Sequence, residues 1–272
     1  IFNLYYTIML DKLEYELKTR GFSQKTIESY LLYNKEFLKF INKEPEKIEE
    51  QDIKNYLTYL TSEKKYKARS VNLALAALKF STSIVLNKKV ATNFKLQKLE
   101  KKQNIDLTRD EVKSLIDSIE NQKHKLLIKL MACSGLKAGE IIQLKLSDIN
   151  LEENILTLKN ERERIIPLSE NLVRDFKIYV SQRKDENPYL FNVRDTHISI
   201  KLPQKIIKLA AKKANIAKRV FCHALRSTFA NGLVESGLTP RYVNTLLGNS
   251  VNTQYPISKE EIKRIKLPFD DI

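Results

Sequence analysis

Apolar residues recur every three or four positions over much of the first hundred residues, which is the spacing of helices with one buried face. The clearest stretch runs from Ile27 to Ile41, and Gly21 interrupts the pattern upstream of it. Ser23 is a favoured N-cap residue, so we expect this helix to begin there. The same spacing predicts further helices over residues 11–19, 51–62 and 68–86. The first hundred residues therefore predict a bundle of about four helices.

The first eight residues carry no charge and are largely apolar or aromatic. A secretory signal peptide would need a basic start and a longer apolar core. Met9 opens the first polar, helix-like segment, so we interpret it as the natural start and residues 1–8 as a non-native or disordered tail. No run of about 18 apolar residues occurs, so we expect no transmembrane helix.

Residues 95–106 are polar and basic with little apolar periodicity. They are typical of a linker, the alternative being a surface loop within one domain. We place the linker at residues 98–106, between a domain over residues 1–97 and a second domain over residues 107–272.

The second domain opens with a capping box, in which Thr108 is the N-cap and Glu111 follows three residues later. Two short apolar stretches, 154–159 and 164–167, predict strands joined by a charged turn. The helices predicted around them cover residues 110–120, 123–134, 140–144, 170–182, 201–214, 223–236, 240–247 and 259–264. The predicted fold class is mostly α with a small antiparallel β-sheet.

The composition excludes a disordered chain and points to a polyanionic partner. The chain has 272 residues, of which 42% are hydrophobic, and its net charge is +15. Residues 1–100 hold 18 basic and 12 acidic residues, and residues 201–272 hold 13 and 5, so the excess lies at the two ends. Nucleic acid and an acidic membrane surface both fit this charge. A general enrichment in lysine is the alternative.

The two cysteines lie far apart and form no CxxC pair. This spacing argues against a disulfide framework and a structural zinc site, and it fits a reducing cytosol.

The segment CHALR places His223 and Arg226 one helical turn apart on the same face. Histidine can transfer a proton, and the arginine fork can bind two phosphate oxygens. Alone this pair is weak evidence. Lys137 at a tight turn, Lys159 at a strand end and a tyrosine after LLGNS strengthen it, since together they would suit phosphoryl transfer by a covalent tyrosine.

Four blocks of sequence carry a resemblance to a known family. They are SGLKAGE with the following IIQLKLSDI, LKNERERIIPLS, HALRSTFANGLVESG, and LLGNS followed by a tyrosine. In these blocks the chain resembles tyrosine site-specific recombinases of the Xer and phage-integrase type. The resemblance covers nearly the whole chain from Met9. It implies an N-terminal helical core-binding domain and a C-terminal catalytic domain that form a C-shaped clamp on DNA.

The resemblance also implies roles for single residues. Arg226 would hold the scissile phosphate, and His223 would assist proton transfer and phosphate binding. Lys159 would protonate the leaving 5′-hydroxyl. Tyr255 would attack the phosphorus and form a 3′-phosphotyrosine, and Glu140 would help to order the site.

Three features depart from the family pattern. Lys137 stands where the family has the first arginine of its pair, and lysine lacks the bidentate fork. Asn249 stands where histidine or tryptophan is usual, and it cannot carry a proton. Residues 251–254 lead to Tyr255 about three residues earlier than usual, and a misplacement of about 1 Å can cost about a hundredfold in rate.

The implied partner is double-stranded DNA, bound by a homo-tetramer on two DNA sites, with a monomer possible without DNA. Residues 257–267 are expected to dock on a neighbouring protomer. The resemblance implies no cofactor, no metal and no membrane, and a cytoplasmic location. DNA contacts are expected from Lys67, Arg69, Arg162, Arg164, Lys218, Arg219 and Arg241.

Three functions therefore stay open on the sequence. The first is a site-specific recombinase that cuts and rejoins DNA strands. The second is a DNA-binding relative with impaired or lost catalysis, which Lys137, Asn249 and the shortened tyrosine segment favour. The third is a type IB topoisomerase, against which the compact helical N-terminal domain argues.

Overall fold

The computed structural model describes residues 2–91, 93–98, 106–159, 163–249 and 258–270. The chain divides into two compact units, Ile1–Lys102 and Gln103–Ile272. Helices dominate both units, and short antiparallel strands occur in the second, which confirms the expected fold class. Over these described ranges, no helix is long and apolar enough to cross a membrane.

Four helices build the first unit. Ser23 caps the second of them, because its hydroxyl accepts the Thr26 N–H at 3.3 Å, as the sequence predicts. The last helix does not continue regularly to residue 86 but passes into a π-helical turn over Ser81–Val85. The helices are α1 (Phe2–Thr19), α2 (Gln24–Ile41), α3 (Glu50–Ser62) and α4 (Ala68–Phe80).

Helix α1 begins at Phe2, so residues 2–8 are helical in the segment that we expected to be a non-native or disordered tail. Met9 is buried in the core of the unit, and Tyr6 packs against that core one turn earlier. The helical spacing that buries Met9 therefore extends upstream into the segment assigned to the tail.

Aromatic side chains fill the core of the first unit. Phe37 and Tyr56 are both buried, with ring centroids 5.3 Å apart. At the other end of the unit, Phe22, Tyr30 and Phe80 form a group with centroids 5.5–6.0 Å apart. Such tilted and edge-on pairs are favoured over face-to-face stacking.

A buried polar network joins α2 to the π-helical turn. Asn34 is 0% exposed and donates its amide N–H groups to the carbonyls of Tyr30, at 2.9 Å, and Ala77, at 3.3 Å. Its side-chain oxygen accepts the Ser81 hydroxyl at 2.5 Å. The network therefore satisfies polar groups in the region where α4 gives way to the irregular turn.

The second unit is built around one central helix. In α6 every residue from Leu126 to Ser134 is buried, and the helix packs against α5, α8, α9 and α10. The predicted capping box is present at α5, because Thr108 and Glu111 exchange hydrogen bonds. The helices are α5 (Arg109–Asp117), α6 (Gln122–Ser134), α7 (Ala138–Gln143), α8 (Glu170–Ser181), α9 (Lys201–Lys213), α10 (Cys222–Glu235), α11 (Pro240–Leu246) and α12 (Lys259–Lys263).

Two small antiparallel sheets accompany these helices. β1 (Ile149–Asn150), β2 (Ile155–Leu158) and β3 (Arg164–Pro167) form the first, in which Leu156 pairs with Ile166. β4 (Asn192–Val193) pairs with β5 (Thr196–His197) to form the second. The sequence predicts β2 and β3, whereas the two-residue strands are too short to show an alternation.

The C-terminal segment 258–270 packs on its own unit, where we expected residues 257–267 to dock on a neighbour. Ile262, Leu267 and Phe269 are buried in the core of the second unit. Arg109 also donates to the Pro268 carbonyl at 3.1 Å. The apolar spacing of the segment is therefore satisfied within the chain, and residue 257 lies outside the described ranges.

We expect Asn34→Ala to lower the free energy of unfolding of the protein by about 1–3 kcal/mol, because it removes three buried hydrogen bonds, two to the Tyr30 and Ala77 carbonyls and one from the Ser81 hydroxyl. Chemical denaturation followed by circular dichroism measures this loss. Asn55→Ala is the control, since Asn55 is exposed on α3 and should change stability by about 0.5 kcal/mol or less. Equal losses in the two variants would contradict the role given to Asn34.

Candidate active site

Helix α10 carries both members of the His-x-x-Arg pair, at positions with opposite environments. Arg226 is 4% exposed, whereas His223, one turn earlier, is exposed. The pair therefore joins a buried cation to an accessible imidazole on the same helix.

Three acceptors from two other parts of the chain hold the Arg226 guanidinium. Its Nη1 donates to the Gly135 carbonyl at 2.5 Å, and its Nη2 donates to the Leu247 carbonyl at 2.6 Å. Nη2 also donates to the Asn249 side-chain oxygen at 2.8 Å. We call these three acceptors the Arg226 cage.

The cage is made mostly of helix ends. Gly135 is the C-cap of α6 and Leu247 is the C-cap of α11. Carbonyls at helix C-termini lack partners within the helix and carry partial negative charge, so they suit a buried cation. The sequence therefore creates the site by ending two helices beside α10.

A carboxylate and a second arginine lie next to the cage. Glu140 on α7 is 9% exposed, and its Oε1 accepts Arg164 Nη2 at 2.7 Å. Its Oε2 accepts the backbone N–H of Lys137 at 2.7 Å. Arg226 Nη1 stands 4.0 Å from Oε2, beyond hydrogen-bond range. Glu140 therefore binds Arg164 and the start of α7, with Arg226 as a more distant neighbour.

Neighbouring groups and burial have opposing effects on the pKa of Arg226. Burial lowers the pKa of Arg226, the Glu140 charge raises it, and the Arg164 charge lowers it. The ordinary pKa of arginine lies far above neutrality, so the guanidinium stays charged at physiological pH. The cluster is therefore a permanently cationic pocket.

The two residues that depart from the family pattern take part in this geometry. Lys137 is exposed at the N-cap of α7, and only its backbone N–H is bound by Glu140. Asn249 is exposed as well, yet its side-chain oxygen accepts from Arg226. The structure thus brings Lys137, Glu140, Arg226 and Asn249 into one connected site.

Lys159 follows β2 and lines an open cleft together with Glu140. The cleft has a volume of about 420 Å³, and Lys145, Tyr189 and His197 also line it. Lys159 is exposed, so its ammonium group can reach a ligand in this cleft. Two of the expected site residues therefore share one cleft beside the cage.

Two of the expected site residues, Tyr255 and Arg162, lie outside the described residues. The effect of the shortened segment on the position of Tyr255 therefore stays a prediction.

The residues expected to contact DNA have different surroundings. Lys67 and Arg69 are exposed at the start of α4, and Arg219 and Arg241 are exposed in the second unit. Lys218 is exposed but binds Glu111 Oε2 at 2.7 Å and the Asp106 carbonyl at 3.0 Å. Its hydrogen bond to the Glu111 carboxylate is the main reason why the pKa of Glu111 is lowered.

The surroundings of Arg164 correct its place among the expected DNA contacts. Its side chain is only 10% exposed and pairs with Glu140. Residues two apart on a strand share a face, and the burial of Ile166 agrees with an inward Arg164. The Gly135 and Leu247 carbonyls were also missed, and as backbone groups they carry no residue-type signal.

Neither cysteine has the surroundings of a reactive thiol. Burial raises the pKa of Cys133 to about 12, and it raises the pKa of Cys222 as well. Both thiols are therefore protonated at neutral pH. Within the described part of the chain, no group of three or more His, Cys, Asp or Glu side chains is arranged to hold a metal ion.

Two family models match this chain along most of its length. The Phage integrase family model matches residues 106–254, which is more than half of the chain. The model of the Phage integrase N-terminal SAM-like domain matches residues 9–92. The chain therefore belongs to the phage integrase family of tyrosine recombinases.

Curated relatives support the same family. The chain is 30% identical to tyrosine recombinase XerA of Pyrococcus horikoshii over 249 residues, covering 89% of this chain and 85% of the relative. It is 31% identical to tyrosine recombinase XerA of Pyrococcus furiosus over 268 residues, covering 95% and 91%. The similarity therefore spans both units.

Solved structures agree with the fold. A crystal structure of XerA recombinase matches with 29% identity and a TM-score of 0.52, covering 89% of each chain. A lambda integrase dimer bound to a COC′ core site matches with 21% identity and a TM-score of 0.72, covering 92% of this chain and 96% of that one. The second likeness concerns the fold alone.

We expect Gly135→Ala to destabilise the protein by about 2 kcal/mol or more and to disturb the Arg226 cage. Gly135 has a φ of +62°, and a Cβ there would lie 2.7 Å from both Leu247 Cδ2 and Phe229 Cδ1. Backbone strain at the positive φ and overpacking by the added Cβ therefore both destabilise the variant. Thermal unfolding and DNA cleavage measure the two effects.

Gly139→Ala is the matched control, because Gly139 lies in helix α7 and a Cβ there has no neighbour within 4 Å. Alanine should be neutral or stabilising by about 0.5–1 kcal/mol at that position. A Gly135→Ala protein as stable and as active as the control would refute the packing described for the cage.

Proposed function

We propose that this protein cuts and rejoins DNA strands at specific sites through a covalent bond between Tyr255 and a DNA 3′-phosphate. The observation that carries the proposal is the Arg226 cage, which holds a guanidinium in fixed orientation between two helix ends, one turn from the exposed His223. A fixed cation suits a phosphoryl-transfer transition state, where negative charge develops on the non-bridging oxygens.

The chemistry proposed for the site conserves the number of phosphate ester bonds. The Tyr255 oxygen attacks phosphorus, the bond to the 5′-oxygen breaks, and Lys159 protonates that leaving oxygen. Attack by a 5′-hydroxyl on the phosphotyrosine reverses these steps and releases the tyrosine. The exchange therefore needs no nucleotide cofactor as an energy source. Arg226 and His223 would hold the phosphate throughout.

DNA is the proposed partner because of the charge of the chain and what its relatives bind. The net charge is +15, and Lys67, Arg69 and Arg219 are exposed. Solved relatives of the same fold include a lambda integrase tetramer bound to a Holliday junction and a Tn1549 transposon integrase in complex with transposon right end DNA. We propose that this protein likewise acts as a tetramer on two DNA sites.

A DNA-binding relative without catalysis is not favoured. The chain is about 30% identical to curated tyrosine recombinases over nearly its full length. Of the three departures, Lys137 keeps a positive charge, Asn249 hydrogen bonds to Arg226, and the segment before Tyr255 lies outside the described residues. The geometry therefore accommodates the first two departures within an intact cationic pocket.

Tyr255→Phe should abolish the covalent protein–DNA adduct and leave duplex binding unchanged, because phenylalanine lacks the attacking oxygen. The measurement is a denaturing gel after incubation with a nicked suicide substrate carrying a candidate site. Binding is compared at one fixed salt concentration, since phosphate contacts make affinity salt-dependent. Tyr242→Phe is the control and should keep the adduct. An adduct that persists in Tyr255→Phe would overturn the assignment of the nucleophile.

Lys137→Arg should raise the cleavage rate by about tenfold, because a guanidinium offers a planar fork where the ammonium group offers a point charge. The backbone N–H that Glu140 binds is the same in both residues, so α7 should start unchanged. Single-turnover cleavage measures the rate. Lys113→Arg, at an exposed position of α5, is the control and should have no effect. An unchanged rate in Lys137→Arg would show that lysine is adapted to this site.

A further inference from the structure

Arg164 reaches the active site from β3, and its contacts connect it to two of the segments that surround Arg226. Its Nη2 binds Glu140 Oε1 at 2.7 Å, and its guanidinium packs against Gly248, beside Leu247 of the cage. A Cβ at Gly248 would stand 3.0 Å from Arg164 Nη1, so the close approach depends on glycine. Gly248 also has a φ of +66°.

The hydrogen bonds of Glu140 go to partners other than Arg226. Its Oε1 accepts from Arg164, and its Oε2 accepts from the Lys137 N–H. Arg226 Nη1 lies 4.0 Å from Oε2, beyond hydrogen-bond range. Without Arg164, one oxygen of Glu140 would lose its partner, which is costly for a carboxylate whose side chain is only 9% exposed. The electrostatic force would draw Arg226 toward it.

A movement of Arg226 toward Glu140 would change how many of its N–H groups are free to bind a ligand. A guanidinium has five N–H groups, and the cage uses three of them. Among the described residues the other two have no acceptor, so they remain for a ligand. A close ion pair with Glu140 would take at least one of these two, and it would pull Nη1 away from the Gly135 carbonyl.

We propose that Arg164 is a positioning residue, which holds Glu140 so that Arg226 keeps its free donors for the scissile phosphate. This inference rests on the proposed function. Arg164 acts through Glu140 and not on DNA itself, because its side chain is only 10% exposed. Its ion pair is therefore part of the phosphate-binding geometry.

A double-mutant cycle separates this role from a merely structural one. Arg164→Ala should slow suicide-substrate cleavage at least tenfold, with DNA affinity changed by less than about threefold. Adding Glu140→Gln removes the charge that attracts Arg226 but keeps an acceptor for the Lys137 N–H. The double variant should therefore cleave at least threefold faster than Arg164→Ala. A double variant that is equally slow or slower would overturn the proposal.

Arg183→Ala is the matched control for the loss of a buried arginine. Arg183 pairs with Asp185, and its side chain is 5% exposed. In both Arg164 and Arg183, Nε is buried and has no hydrogen-bond partner among the residues that the structure describes. Arg183→Ala should lower the melting temperature but cleave within about twofold of the unmodified protein. If it slows cleavage as much as Arg164→Ala does, general destabilisation explains both and the proposal fails.

A crystal structure of Arg164→Ala tests the proposal without any activity. The Arg226 Nη1 to Glu140 Oε2 distance should shrink from 4.0 Å into the hydrogen-bond range, below about 3.2 Å. An unmoved Arg226 would overturn the inference. If the unmodified protein forms no adduct with DNA, the proposed function is contradicted. The distance between Arg226 Nη1 and Glu140 Oε2 in the variant still tests the role of Arg164 in that case. If Arg164→Ala does not fold, Arg164→Met replaces it throughout, because methionine fills more of the space but offers Glu140 neither a donor nor a charge.

Discussion

The buried charge of Arg226 is the constraint on which the second unit depends. A cation that is 4% exposed persists only where acceptors replace the water it has lost. Those acceptors come from positions 135, 247 and 249, far from residue 226 in the chain, so two helix ends must meet beside α10. The same requirement makes Gly135 necessary, since its αL conformation ends α6 where a Cβ would strike Phe229 and Leu247. The hydrogen bonds that stabilise the buried charge of Arg226 therefore also orient the group proposed to bind phosphate.

Much of the fold could be predicted because its signals are local. The caps at Ser23 and Thr108 and the long apolar periods each depend on residues within a few positions. The misses have physical reasons. Two-residue strands such as β4 have no alternation to detect, and the π-helical turn depends on Asn34, which lies far from it in the chain. Leu267 packs in the core of its own unit, and this packing likewise depends on tertiary contacts.

The candidate site was predictable in its residue types and unpredictable in its connections. Resemblance named Lys137, Glu140, His223, Arg226 and Asn249, and the structure places them around one helix face and two helix ends. It could not name two of the three cage acceptors, because backbone carbonyls are the same for every residue type. Arg164 was visible in the sequence, but its charge suggested DNA, and its ion pair with Glu140, 24 residues away, has no local signal.

Lys137 and Asn249, two of the three departures from the family pattern, stand where the buried hydrogen bonds constrain the side chain least. The buried members, Arg226 and Glu140, match the family pattern, and each is fixed by two or more hydrogen bonds. Lys137 and Asn249 are exposed. At position 137 the framework uses only a backbone N–H, so the side chain can change without moving α7. At position 249 the asparagine oxygen accepts a hydrogen bond from Arg226, as a neutral imidazole nitrogen also can. Substitution at these two positions therefore alters the groups that meet the ligand and leaves the buried charge network intact.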